Sequence, residues 1–99
     1  MGARKSISTV VTANGQISTA GQAGYLKSYV IFSDQAHATV SFENGDGGSE
    51  LWADSVVATT ADGDTNVRHT FGGDGLFFSN DIYVDVGTSP KVCCEYYPV

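Results

Sequence analysis

The sequence predicts an all-β fold: an antiparallel β-sandwich, jelly-roll-like, with about eight short strands. Three observations predict it. Val, Phe and Tyr dominate the apolar residues, whereas Leu occurs only at Leu26, Leu51 and Leu76; β-branched and aromatic side chains suit a pleated, half-buried surface. Twelve glycines interrupt the chain, giving turn signals at the spacing of roughly 8–12 residues typical of sandwiches. Between those signals apolar and polar residues alternate, which is the period of a strand with one buried face. The 99 residues are read as a single domain, 1–99, with residues 1–5 as a flexible N-terminal arm.

Taken in order, Ser6 to Ala13 is β-prone, with Ile7, Thr9 and Val11 on one side. Asn14-Gly15 is a strong hairpin signal because both residues tolerate positive φ, so Gln16 to Ser18 is expected to pair back. Thr19 to Gly24 is a loop. Tyr25 to Phe32 is apolar on both faces, with Leu26, Val30 and Phe32 assigned to one side and Tyr25, Tyr29 and Ile31 to the other. Such a strand is central, or shows one face to another subunit. His37 to Glu43 alternates, with Ala38, Val40 and Phe42 inward. Asn44 to Gly48 is a turn. In Ser49 to Ala58 the alternation breaks around Ala53-Asp54-Ser55, suggesting a bulge or bend. A polar loop from Thr59 to Asn66 precedes a strand carrying Val67, His69 and Phe71. Leu76 and Phe78, then Ile82, Val84 and Val86, then Val92, Cys94 and Tyr96 give three further strands, expected to form an antiparallel meander.

Charge and composition exclude several classes. Eleven acidic residues face five basic ones, a formal net charge of −6. A nucleic-acid binder needs a cationic face, and so does electrostatic docking to an anionic membrane, so neither partner is expected. No apolar run is long enough to span a bilayer. The opening Met-Gly-Ala-Arg-Lys-Ser lacks the apolar core of a secretory signal, so synthesis in a cytoplasm is expected. Cys93 and Cys94 are adjacent and point to opposite faces of a strand, so they are badly placed to bond to each other; Cys94 reads as core and Cys93 as surface.

Residues with chemical potential have ordinary readings. Asp62-Gly63-Asp64-Thr65-Asn66 copies the start of an EF-hand loop, yet Val67 and Gly73 stand where the loop needs its glycine and its closing glutamate. His37 and His69 are the only histidines, and neither has a nucleophile or metal-ligand motif near it. No catalytic residue, cofactor or metal site is therefore expected, and the chain is read as a non-enzyme. Tyr25, Trp52, Tyr83, Tyr96 and Tyr97 raise a sugar-stacking platform as an alternative to cross-strand packing.

The stretch Phe71-Gly72-Gly73-Asp74-Gly75-Leu76-Phe77-Phe78, then Asn80 to Gly87 with Tyr83-Val84, then Val92 to Tyr97, resembles small virion proteins of tailed bacteriophages. The resemblance spans residues 71–97 and departs from the usual pattern at Val92-Cys93-Cys94-Glu95. It implies a structural virion role, as a capsid decoration (cement) protein bound to the major capsid protein or other virion proteins. A tail, baseplate or fibre component is the alternative. Such proteins gain affinity by repetition and self-association, here as a dimer or trimer. The expected contact residues are Arg4 and Lys5 of the arm with Tyr25, Tyr29 and Ile31 of the two-sided strand.

Overall fold

A computed structural model describes residues 6–18, 20–33, 37–57, 65–86 and 91–99, without the side chains of 33, 37, 38, 56, 57, 65 and 66. Its strands are β1 (Ile7–Val11), β2 (Gly15–Gln16), β3 (Gly24–Ser33), β4 (His37–Asn44), β5 (Glu50–Val57), β6 (Thr65–Thr70), β7 (Leu76–Phe78), β8 (Ile82–Asp85) and β9 (Lys91–Pro98), with no helix among the described residues. They form two antiparallel sheets packed face to face. One has five strands in the order β1-β9-β3-β6, with β7 also on β3; the other has four, in the order β2-β8-β4-β5. The alternation read from the sequence supplies the core: Leu26, Tyr29, Ile31, Phe78, Val92, Cys94 and Tyr96 from the first sheet meet Val40, Phe42, Ile82 and Val84 from the second. Burial pushes the Cys94 thiol up to about 12, while Cys93 on the opposite face is half-buried.

The pairing is nested. β4 pairs β5, β3 pairs β6 and β7, β2 pairs β8, and β1 pairs β9. The chain is thus one long hairpin, folded between β4 and β5 and rolled so that β9 also lies against β3 and β8 against β4. Two local expectations give way to this arrangement. Asn14-Gly15 does not close a hairpin: β1 and β2 belong to different sheets, and neither residue has positive φ. Asn14 instead turns its side chain onto the neighbouring strand, its Oδ1 accepting from Val86 N at 2.8 Å. The C-terminal strands likewise form no meander, because β7 and β9 lie in one sheet and β8 in the other. Alternation is a local signal; partner choice is set by the whole rolled hairpin.

β3 carries the decisive irregularity. Its register with β9 shifts between Leu26 and Ser28, so Lys27 is the extra residue of a bulge and the side-chain phase reverses there. Leu26 faces inward before the bulge; Tyr29 and Ile31 face inward after it, at 1% and 0% exposure. The expectation that Tyr29 and Ile31 face another subunit is corrected: they fill the core, and Val30 and Phe32 take the outer face. The bulge sits opposite the break between β6 and β7. Lys27 Nζ donates to Phe71 O and Gly73 O at 3.0 and 2.9 Å, and Phe71 N donates to Lys27 O. Gly75 completes this turn at φ 105°, where a Cβ would lie 2.5 Å from Leu26 O, so only glycine fits without strain. In β5 the register shift lies between Phe42 and Glu43, skipping Leu51. The irregularity expected around Ala53-Asp54-Ser55 is therefore nearer the start of the strand.

Candidate functional site

The outer face of the five-stranded sheet presents side chains in rows that cross several strands. Before the bulge, Tyr25 stands beside Phe77 of β7 on one side and Tyr97 of β9 on the other. The Tyr25 and Phe77 rings lie 5.0 Å apart, tilted by 44°, and Phe77 is 46% exposed. Next comes a polar row of Ser8, Glu95, Ser28 and Thr70, in which Ser28 Oγ donates to Glu95 Oε1 at 3.3 Å. The third row is Val10, Cys93, Val30 and Arg68. Phe32 and Lys91 stand beside one another past it. Val10 is 62% and Phe32 47% exposed, and Arg68 and Lys91 are exposed cations at the margin of this apolar patch.

The opposite face of the molecule differs in kind. The outer side of the four-stranded sheet holds Thr39, Ser41, Glu43, Tyr83 and Asp85, with Ser41 paired to Asp85 and Glu43 to Tyr83. The Tyr83 hydroxyl is pushed up by partial burial and then by the carboxylates of Asp46, Asp85 and Glu43, the response of a phenol in a negative field. Every described basic residue (Lys27, Arg68 and Lys91) lies on the five-stranded sheet. The sandwich is electrically polar across its thickness.

A second cluster closes the side of the sandwich between β5 and β6. Trp52 Nε1 donates to Tyr29 Oη at 2.7 Å, and Tyr29 Oη donates to Asp54 Oδ2 at 2.6 Å. His69 and Phe71 pack against Trp52, each with its ring centroid 4.9 Å away, Phe71 edge-on. Burial first, and the Asp54 carboxylate second, raise the Tyr29 pKa, so the phenol remains a proton donor at neutral pH. The rings pack against one another, with centroids 4.6–6.1 Å apart. The rings proposed as a sugar platform are dispersed: Trp52 lies here, Tyr96 in the core, Tyr83 on the acidic face, and only Tyr25 and Tyr97 stand together.

Of the expected contact residues, Tyr25 is on the outer face, Tyr29 and Ile31 are in the core, and Arg4 and Lys5 lie outside the described residues. The EF-hand-like stretch lies largely outside them as well. Among the described residues no group of three or more His, Cys, Asp or Glu is placed to hold a metal ion, and no helix is long and apolar enough to cross a membrane. The surface residues that the sequence reading missed are Val10, Val30, Phe32, Arg68, Phe77 and Lys91. For Val10, Phe32 and Phe77 the signal was present: Val10-Val11, Ile31-Phe32, Phe77-Phe78, Cys93-Cys94 and Tyr96-Tyr97 are apolar or aromatic doublets. In a strand one member of each doublet must face outward, and all five lie in the five-stranded sheet. The chain matches no protein-family model and no curated protein.

Proposed function

We propose that this chain is a non-enzymatic structural protein that adheres to other proteins through the outer face of its five-stranded sheet. The observation that carries the reading is the apolar row Val10, Cys93 and Val30 with Phe32, in which Val10 and Phe32 are exposed and Cys93 and Val30 half-buried, bordered by Arg68 and Lys91. Apolar contact area with cations at its margin fits an acidic protein surface, the apolar part supplying affinity and the charges orientation. Counted with β6 and β7 as one interrupted strand, the nested pairing reads as a jelly roll, an architecture of viral capsid and lectin domains; fold alone does not assign function. Together with the resemblance of residues 71–97 to small phage virion proteins, the surface favours a capsid decoration protein that also associates with copies of itself, located in the virion. The test is co-sedimentation with undecorated capsids: the wild type is expected to pellet with them and to saturate. Failure to bind capsids or any other virion part overturns the virion reading.

One observation favours a second reading. Phe77, Tyr25 and Tyr97 form an aromatic row across three neighbouring strands, which suits stacking on a sugar ring. Because Trp52 is on a different side of the molecule, its fluorescence is the wrong reporter. A glycan array with wild type and Tyr25→Ala separates the readings; a sugar response lost in Tyr25→Ala makes the chain a carbohydrate-binding module.

A further inference from the structure

β1 is an edge strand. Among the described residues it pairs with β9 alone, and no strand lies on its other side. Unpaired strand edges invite another strand, and sheets usually guard them with charge, proline, a bulge or shortness. β5 and β6 show the usual guards: Glu50 and Asp54 on one, Arg68 on the other. β2 is only two residues long. β1 has none of these guards. It runs for five residues without charge or proline, its register with β9 is unbroken, and Ile7 and Val10 are 43% and 62% exposed. No charged residue occurs from Ser6 to Leu26.

The absence of charge also says what would sit there. Two copies of a chain with net charge −6 repel one another over most of their surface, and a neutral edge is where they approach at least cost. β1 is also complementary to itself. Run antiparallel about a two-fold axis at Thr9, it places Ile7 opposite Val11, Ser8 opposite Val10 and Thr9 opposite Thr9 of the second copy. Core-facing residues then meet core-facing residues, since the register preserves side-chain phase, and Ile–Val and Thr–Thr are favourable cross-strand pairs. The contact closes on itself, as a two-fold interface must.

We propose that the outer edge of β1 is the self-association site, where a second copy of this chain adds its own β1 and joins two five-stranded sheets into one continuous sheet. The proposal rests on the reading of the chain as a self-associating adhesion protein, but not on what it adheres to. In the dimer the two outer faces become coplanar, so the apolar rows of both copies point the same way and can bind one surface together.

The test is sedimentation velocity on purified wild type and on Ser8→Lys/Val10→Lys, with circular dichroism as a check on folding. Ser8 and Val10 face outward, and in the proposed register the two substitutions set lysines opposite lysines on both sides of the two-fold axis. The wild type is expected to show a concentration-dependent species of twice the 10.4 kDa chain mass. The double variant should dissociate at least tenfold more readily with an unchanged β-sheet spectrum. Thr9→Cys, in a Cys93→Ser/Cys94→Ala background that removes the thiol opposite position 9 in the same chain, should cross-link to itself on mild oxidation, because the two-fold axis makes position 9 its own partner. A wild type that stays monomeric at millimolar concentration overturns the proposal. So does a trimer, a double variant that dimerises like the wild type, or a folded Thr9→Cys chain that does not cross-link. Each result is read without capsids, so it stands apart from the outcome of the co-sedimentation test.

Discussion

The two sides of the sandwich face the same problem and solve it differently. At each, two sheets end and their inner faces would open to water. On the β5/β6 side, bulky side chains close the gap: Trp52, His69 and Phe71 pack over Tyr29, whose hydroxyl bridges Trp52 and Asp54. On the β1/β2 side, small apolar residues and backbone bonds do the work. Val11, Ile17 and Val86 are buried, Asn14 Oδ1 accepts from Val86 N, Ser18 Oγ accepts from Ile82 N at 2.9 Å, and Ile17 N donates to Ile82 O. Next to this side Asp81 is buried; its Oδ2 accepts from Gly21 N at 2.9 Å while Oδ1 has no hydrogen-bond partner among the described residues. The aromatic side carries charged strands and is finished. The other has no charged residue on β1 or β2 and, among the described residues, ends in an unpaired strand edge, as an end made for continuation would.

If that contrast is right, stability should depend unequally on the two sides. The largest effect is expected for Tyr29→Ala, which opens a cavity and leaves two polar groups unpaired, costing about 3–5 kcal/mol in urea unfolding. Tyr29→Phe separates the contributions: losing the hydroxyl alone should cost about 1–3 kcal/mol. Gly75→Ala, in the turn between β6 and β7, forces a side chain into positive φ and against Leu26 O, and should cost about 2 kcal/mol. Asn14→Ala, on the neutral side, leaves Val86 N without its acceptor and should cost about 1 kcal/mol. A loss from Asn14→Ala equal to that from Tyr29→Ala would contradict the division of labour.

The last expected effect is on alkaline stability. The folded chain holds the Cys94 thiol neutral up to about 12, against an ordinary value of 9.0; Tyr29 is likewise raised from 10.0. A raised value means that the contribution is complete below the unfolded pKa and is lost as pH rises through the folded one. Unfolding free energy should therefore be level to about pH 9 and decline between 9 and 12. Cys94→Ala should flatten the first part of that decline, measured by urea titration at fixed pH steps.

Much of the fold was legible because alternation is written locally. Val40 and Phe42, Ile82 and Val84, and Val92, Cys94 and Tyr96 all face inward as the period-2 pattern requires. Pairing was not legible, because β1 meets β9 across almost the whole chain and no local signal reports that. Asn14-Gly15 therefore resembled a hairpin and is a corner between sheets. The phase of β3 was misread for one reason, the bulge at Lys27, and its trace was the polar pair Lys27-Ser28 between apolar residues of opposite phase. The outer patch was invisible as a unit because its members come from four strands. Its trace was the set of apolar doublets, which commits one residue of each to the surface.

The reading turns on the two outer faces being unequal, and matched charge substitutions measure that directly. Val30→Glu/Phe32→Glu alters the apolar face, and Thr39→Glu/Ser41→Glu makes the same change on the acidic face; all four side chains point away from the core. In co-sedimentation with undecorated capsids, the first pair should weaken binding at least a hundredfold, and the second should bind like the wild type. Equal binding by both pairs, or loss confined to the second, would contradict the account.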